Sequence, residues 1–304
     1  MKYQGDRVFI AIFYCISAHF MFAVMGTCAK YLTQELGYHV AEAAFYRNLI
    51  VLIPLLAYIA LRRNTDILKT QKPKLVGFRA LLGGVSLMVT FAALEKLPMA
   101  YATVIFFMSS LLTPALAFFI LKEHVGIHRW SAVFVGMCGV IIIAGPSGTI
   151  SAIGLILALL AATMHGIMYT TLRGLKTENP FTITFYFIVA GVLIPAAFLP
   201  WVAKGVETEH IWIFLLIGAS GGIAQIFLVN AYKYAPASTV TPFSYSALLW
   251  TILIDINLWG YQLDFWILTS GASLIILAQL YILYREYRLE HSEKKTTNEV
   301  SQSS

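Results

Sequence analysis

The stretch Met99-Ala-Tyr-Ala-Thr-Val-Ile-Phe-Phe-Met-Ser-Ser-Leu-Leu-Thr-Pro-Ala-Leu-Ala-Phe-Phe-Ile-Leu121 contains no Asp, Glu, Lys, Arg or His. A helix needs about 20 mostly apolar residues to cross a bilayer, and this run has that length. Nine similar runs surround it. Together they predict helices over roughly Val8–Leu32, Val40–Leu61, Leu75–Leu94, Met99–Leu121, Trp130–Ala144, Ile150–Leu172, Phe181–Trp201, Ile211–Tyr232, Ser238–Trp259 and Phe265–Tyr284. The runs are continuous rather than alternating, which argues against a β-barrel. The first is too long for the apolar region of a signal peptide and is read as a helix. The longest polar segments are Arg62–Lys74 and the tail after Arg285, so no soluble domain is expected.

Composition agrees. Hydrophobic residues make up 59% of the 304 and charged residues 12%, against roughly 25% charged in soluble domains. The formal charge is +6, but the basic residues form no continuous patch, so nucleic acid is not an expected partner. Their placement suits membrane orientation. With the N-terminus in the cytoplasm, sixteen of the twenty-one Lys and Arg fall at inner ends and loops, and only Lys96 and Lys204 in outer loops. That asymmetry predicts a multi-pass inner-membrane protein with both termini cytoplasmic.

Val51-Leu-Ile-Pro54 in the second run recurs as Val192-Leu-Ile-Pro195 in the seventh. Ala93-Leu-Glu-Lys-Leu-Pro98 aligns with Ala231-Tyr-Lys-Tyr-Ala-Pro236 at nearly the same offset. The expected fold is therefore an all-α membrane protein of ten transmembrane helices in two inverted five-helix repeats. The repeats are placed at residues 8–144 and 150–285, followed by a disordered cytoplasmic tail over 286–304. Five is an odd number, so the second half enters from the opposite side, an architecture that secondary transporters use.

No GxxxxGK[ST] or HExxH motif is present, and no clustered catalytic constellation is visible. The reading is of a protein that is not an enzyme and takes no cofactor or metal. His124 and His128 share a short basic loop, which explains them without a metal. Cys15, Cys28 and Cys138 lie in apolar runs and are read as small packing residues. Gly83-Gly84, Gly136, Gly139, Gly218 and Gly221-Gly222 permit close helix approach; Gly221-Gly222 also offers a bend in helix 8. Pro114 and Pro242 favour kinks beside aromatic and hydroxyl side chains.

Ionisable residues inside apolar helices carry the sharpest functional signal. Arg79 lies about 6 Å from its cytoplasmic end and can snorkel. Lys30 and Glu42 lie near the outer face and can do the same. Arg47 is about 10 Å from the outer end of helix 2 and His19 about 16 Å into helix 1. His19 and His165 are candidates for proton coupling or solute contact, or are satisfied structural histidines. Arg47, which could pair with a carboxylate, Gln225, Tyr245, Trp250 and Asp255 complete the candidate substrate-binding set with His19.

Several segments resemble the EamA-type members of the drug/metabolite transporter superfamily. In the first half these are Arg79-Ala-Leu-Leu-Gly83, Phe91-Ala-Ala-Leu-Glu-Lys-Leu-Pro98-Met-Ala100, Leu121-Lys-Glu123, Arg129-Trp130 and Gly139-Val-Ile-Ile. In the second they are Asn230-Ala-Tyr, Ala235-Pro-Ala-Ser238, Pro242-Phe-Ser-Tyr245, Leu249-Trp250, Trp259-Gly260, Gly271-Ala-Ser and Tyr281-Ile-Leu-Tyr-Arg-Glu286. The resemblance spans the chain. It implies ten helices, inverted repeats, cytoplasmic termini and a central cavity. It also implies transport of a small metabolite, and the pattern is similar to the branch that includes S-adenosylmethionine uptake proteins. Asp255 and Tyr261 stand where relatives usually carry Gly and Glu, and an added carboxylate at 255 could attract a cationic solute.

The expected function is secondary transport of an amino-acid-like or S-adenosylmethionine-like solute by alternating access. Export of amino acids, other metabolites or drugs is the alternative, and a non-transporting receptor or scaffold the reading from another class. Expected partners are the solute, the bilayer, and a coupling proton or exchanged metabolite, with the protein a monomer or homodimer.

Overall fold

The computed structural model describes residues 2–62, 68–121, 126–144, 151–175, 177–235 and 240–303. Glu123, His124, Pro236 and Ser238 lie outside them. Every regular element among the described residues is helical. The α-helices are α1 Lys2–Lys30, α2 Val40–Arg62, α3 Pro73–Lys96, α4 Met99–Leu121, α5 Ile127–Ala144, α6 Ala152–Gly174, α7 Pro180–Val202, α8 Ile211–Tyr234, α9 Ser246–Leu258 and α10 Phe265–Ser303. Seven are long and apolar enough to span a membrane, and α4 and α5 contain shorter apolar stretches, Met99–Thr113 and Trp130–Ile143.

Local chemistry sets the ends. Ser151 accepts the Gly154 N–H at 3.2 Å to cap α6. Asn179 accepts from Phe181 N–H at 2.9 Å, and Pro180 then opens α7 where a missing N–H costs nothing. Asp264 caps α10 by accepting from Trp266 and Ile267. The ninth segment departs from the single helix expected over 238–259. A 3₁₀ turn over Thr241–Tyr245 precedes α9, where Pro242 removes an N–H that an α-helix would use. α1 continues into a π turn, Tyr31–Glu35. α10 runs on through the residues expected as a tail, a sequence rich in Glu, Lys and Arg with good helix propensity.

Outward faces carry large apolar side chains. Trp266 is 87% and Leu61 85% exposed, a surface that lipid rather than water covers. Inside, small residues let helices close in. A Cβ on Gly139 would meet the Gly271 carbonyl at 2.7 Å, so α5 and α10 cross in backbone contact. Gly83 faces Phe187, and Gly136 faces Leu111 and Met108 in the same way.

The two halves of the chain pack through each other. α1 lies along α8 and α6 along α3; α2 packs on α8 and α3 on α7; α2 meets α7, and α5 meets α10. Loops repeat the exchange. At one end of the bundle Glu42 accepts N–H bonds from Lys204 (3.0 Å) and Gly205 (3.2 Å). At the other end Glu178 accepts from Gln71 N–H at 3.0 Å.

Lys30 and Glu42 do not snorkel as expected; they are 0% and 1% exposed. Each points sideways into a neighbouring corner. Helical rise gives a residue's depth but not the direction in which it faces.

Candidate functional site

His19, Tyr245 and Trp250 lie on the elements that form one seam, His19 on α1, Tyr245 in the 3₁₀ turn and Trp250 on α9. One helical turn before His19, Cys15 Sγ lies 3.9 Å from Ser244 Oγ. His19 Nδ1 is 2.8 Å from the Cys15 carbonyl, which can only accept. Nδ1 therefore carries the proton of the neutral ring, and Nε2 is left as an acceptor. Phe20, the next residue, packs edge-on to Trp250 with centroids 5.1 Å apart.

Trp250 and Ser246, one turn apart on α9, both bury polar atoms without a hydrogen-bond partner: the indole Nε1 and the hydroxyl Oγ. A buried donor without an acceptor is destabilising, and a solute acceptor would satisfy it. Trp250 borders an open groove of about 360 Å³ lined by Phe20, Leu253, Ile254, Asn257 and Leu258. That volume is within the range of small-molecule sites, and its walls are apolar with few polar groups.

Tyr245 turns toward the first half. Its ring is perpendicular to Phe107 at 5.1 Å, and its hydroxyl donates to Gln279 Oε1. Gln279 Nε2 in turn donates to the Phe107 carbonyl. Gln279 thus ties α4, the 3₁₀ turn before α9, and α10 at one point. It was not among the residues expected from sequence, although a polar side chain in an apolar run was the available signal.

The other candidates stand apart from this seam. His165 Nε2 lies 3.5 Å from Thr90 Oγ1. Thr90 spends its own proton on the Ser86 carbonyl, so His165 is the donor, and its ring stacks edge-on to Phe106. Gln225 is half-buried on α8, and its amide makes no hydrogen bond among the described residues. Arg79 lays its guanidinium 5.9 Å from the Phe187 ring. Arg47 is buried where α2 meets α8.

Asp255 is fully buried. Oδ1 accepts from Met99 N–H at 3.0 Å and Oδ2 from Ala100 N–H at 2.7 Å. It caps the N-terminus of α4 rather than reaching an aqueous face. Lys30 lies on the other side of the same corner, 5.6 Å from the Trp259 ring and 5.3 Å from Tyr261. Among the described residues no three His, Cys, Asp or Glu side chains are placed to share a metal ion.

These features define a multi-pass membrane protein with an apolar groove beside Trp250. The family can now be stated. The sequence signature of the EamA-like transporter family matches twice, over residues 9–145 and 152–284. The chain belongs to that family, within the drug/metabolite transporter superfamily. It is 28% identical to an S-adenosylmethionine uptake transporter of Rickettsia prowazekii (strain Madrid E), over 88% of this chain and 90% of that one. It is also 28% identical to a riboflavin transporter of Rhizobium johnstonii, over 94% and 95%. An uncharacterized transporter of Helicobacter pylori (strain J99) is 27% identical over 91% and 95%. A crystal structure with 16% identity has a similar fold, with a TM-score of 0.60 covering 94% of this chain and 99% of the other.

Proposed function

We propose that this protein is a secondary transporter that carries an amino-acid-like or S-adenosylmethionine-like metabolite across the inner membrane by alternating access. The single observation that carries the reading is the paired match to a transporter family, one copy per half of the chain. The cross-packing of those halves supports an inverted repeat. If α1 corresponds to α6, α2 to α7 and α3 to α8, then α1 on α8 is the counterpart of α6 on α3, and α2 on α8 that of α3 on α7. Helices exchanged in this way can rock as two units about a central site. The distribution of Lys and Arg supports a reading with both termini in the cytoplasm.

In this reading the α1–α9 seam receives the solute. Trp250 and Ser246 offer unsatisfied donors, Phe20 and Trp250 an aromatic wall, and His19 Nε2 an acceptor that can also take up a proton. A flavin-like solute is the second reading, favoured by the riboflavin transporter among the relatives. Counterflow in proteoliposomes tests both. Vesicles preloaded with unlabelled S-adenosylmethionine should accumulate the labelled compound. Accumulation with riboflavin alone would select the second reading, and none with either compound would count against both.

A further inference from the structure

Arg47 is 2% exposed in the seam between α2 and α8. Its guanidinium has five N–H donors and a charge that it does not lose. Among the described residues it makes one hydrogen bond, Nη1 to Asn48 Oδ1 at 2.7 Å. Nε is buried without a partner. No carboxylate among the described residues forms an ion pair with it. The buried acids are committed elsewhere: Glu42, Glu178 and Asp255 all accept backbone N–H bonds.

A buried cation without a counter-charge is not a stabilising element. Desolvation opposes it, and among the described residues only the Asn48 hydrogen bond offsets part of that cost. In membrane helices such residues mark pathways for substrates and ions. The local geometry is nevertheless well built. Asn48 Nδ2 donates to the Ala44 carbonyl at 2.8 Å and the Gly191 carbonyl at 3.0 Å. The Asn48 oxygen is thereby fixed, and it holds Nη1 so that the Nε–Nη2 edge of the fork is left open. Two parallel donors on one edge match the two oxygens of a carboxylate.

We propose that Arg47 is the receptor for a carboxylate on the transported solute, which supplies the counter-charge that no described residue supplies. This rests on the transport reading above and narrows it: amino-acid-like solutes qualify, and a flavin-like solute without a carboxylate does not. Access comes from α8. A Cβ at Gly221 would stand 2.8 Å from Arg47 Nε; Gly218 faces Ile50 and Gly222 faces Val51. Around Arg47, α8 therefore meets α2 with a glycine face; toward the start of both helices Phe214 of α8 packs edge-on against Tyr46 of α2. Met25 of α1 closes the same spot. The structure shows the receptor covered, and separation of α8 from α2 uncovers it.

Two measurements test this. The first compares ligand-free thermal unfolding of the purified wild type and Arg47→Met in one detergent. An uncompensated charge predicts that Arg47→Met unfolds at or above the wild-type temperature. A clear drop, or failure to fold, would show that Arg47 supports the fold and would overturn the proposal. The second uses proteoliposome uptake of S-adenosylmethionine and of its decarboxylated form. Uptake of the carboxylate form should fall about tenfold or more in Arg47→Met, with Arg47→Lys between the two. Wild-type uptake of the decarboxylated form should already be weak. Arg47→Met uptake within about twofold of wild type, or equal wild-type uptake of both compounds, would overturn the proposal. If the wild type moves neither compound, nor L-methionine, nor riboflavin, the transport reading fails, and the unfolding comparison decides the role of Arg47 by itself.

Discussion

Lys30 and Asp255 grip the two sides of one corner. Lys30 Nζ donates to the Leu94 and Leu97 carbonyls at 2.7 and 2.6 Å, where α3 ends. Asp255 accepts from Met99 and Ala100 N–H, where α4 begins. A cation thus meets the negative end of one helix dipole and an anion the positive end of the next. The segment between them, Leu94-Glu-Lys-Leu-Pro-Met-Ala100, is among those that first suggested the family.

Both charges are fully buried, so removing either leaves the other without its electrostatic partner. Asp255→Asn and Lys30→Met should each lower stability by about 3 kcal/mol. The double variant should lose less than the sum, because the two share one corner. Chemical unfolding in detergent reads this directly. Additive losses would show that the two residues act independently.

Glu42 and Glu178 hold equivalent corners on opposite faces of the protein. Glu42→Gln should speed amide hydrogen exchange at Lys204 and Gly205 and leave Gln71 unchanged. Glu178→Gln should do the reverse. Each variant weakens a charge-assisted bond, worth about 1.5–3 kcal/mol, to a neutral one. Exchange that rises at both faces in both variants would contradict separate corners.

Trp250→Phe keeps much of the aromatic wall but deletes the indole N–H. If that N–H binds solute, uptake should fall by about tenfold, with Trp250→Ala lower still. Wild-type uptake in Trp250→Phe would remove the hydrogen bond from the account and leave only the wall. Tyr245→Phe leaves Gln279 Oε1 without its donor and should cost about 1–3 kcal/mol of stability, measured by unfolding.

Topology has its own test. Glu207, about half exposed, lies in the loop between α7 and α8, and Gln71 is exposed before α3. A membrane-impermeant maleimide added to intact cells should label Glu207→Cys. It should reach Gln71→Cys only after permeabilisation. Cys15 and Cys28 are buried and should react little. The opposite pattern would invert the assigned orientation.

Much of this architecture was legible in the sequence because a bilayer demands long apolar runs, and such runs are visible residue by residue. Two features were not. Pro242 signalled a kink, but whether the chain would bend or tighten depends on its neighbours; it tightens into a 3₁₀ turn. Helical rise gives Lys30, Glu42 and Asp255 a depth, but depth cannot show that each side chain points into a corner built by residues far along the chain. The same limit hid Gln279, whose role exists only because α4, α10 and the 3₁₀ turn before α9 meet there. Arg47 stood out from depth alone, but only the packing of α2 against α8 shows that it has no counter-charge among the described residues.

The most direct test of the central claim is counterflow of labelled S-adenosylmethionine into proteoliposomes of the purified protein. Vesicles preloaded with the unlabelled compound should accumulate label transiently, and Arg47→Met vesicles should not. If wild-type vesicles accumulate no more label than protein-free vesicles, for this compound and for L-methionine alike, this protein does not carry the amino-acid-like solute assigned to it.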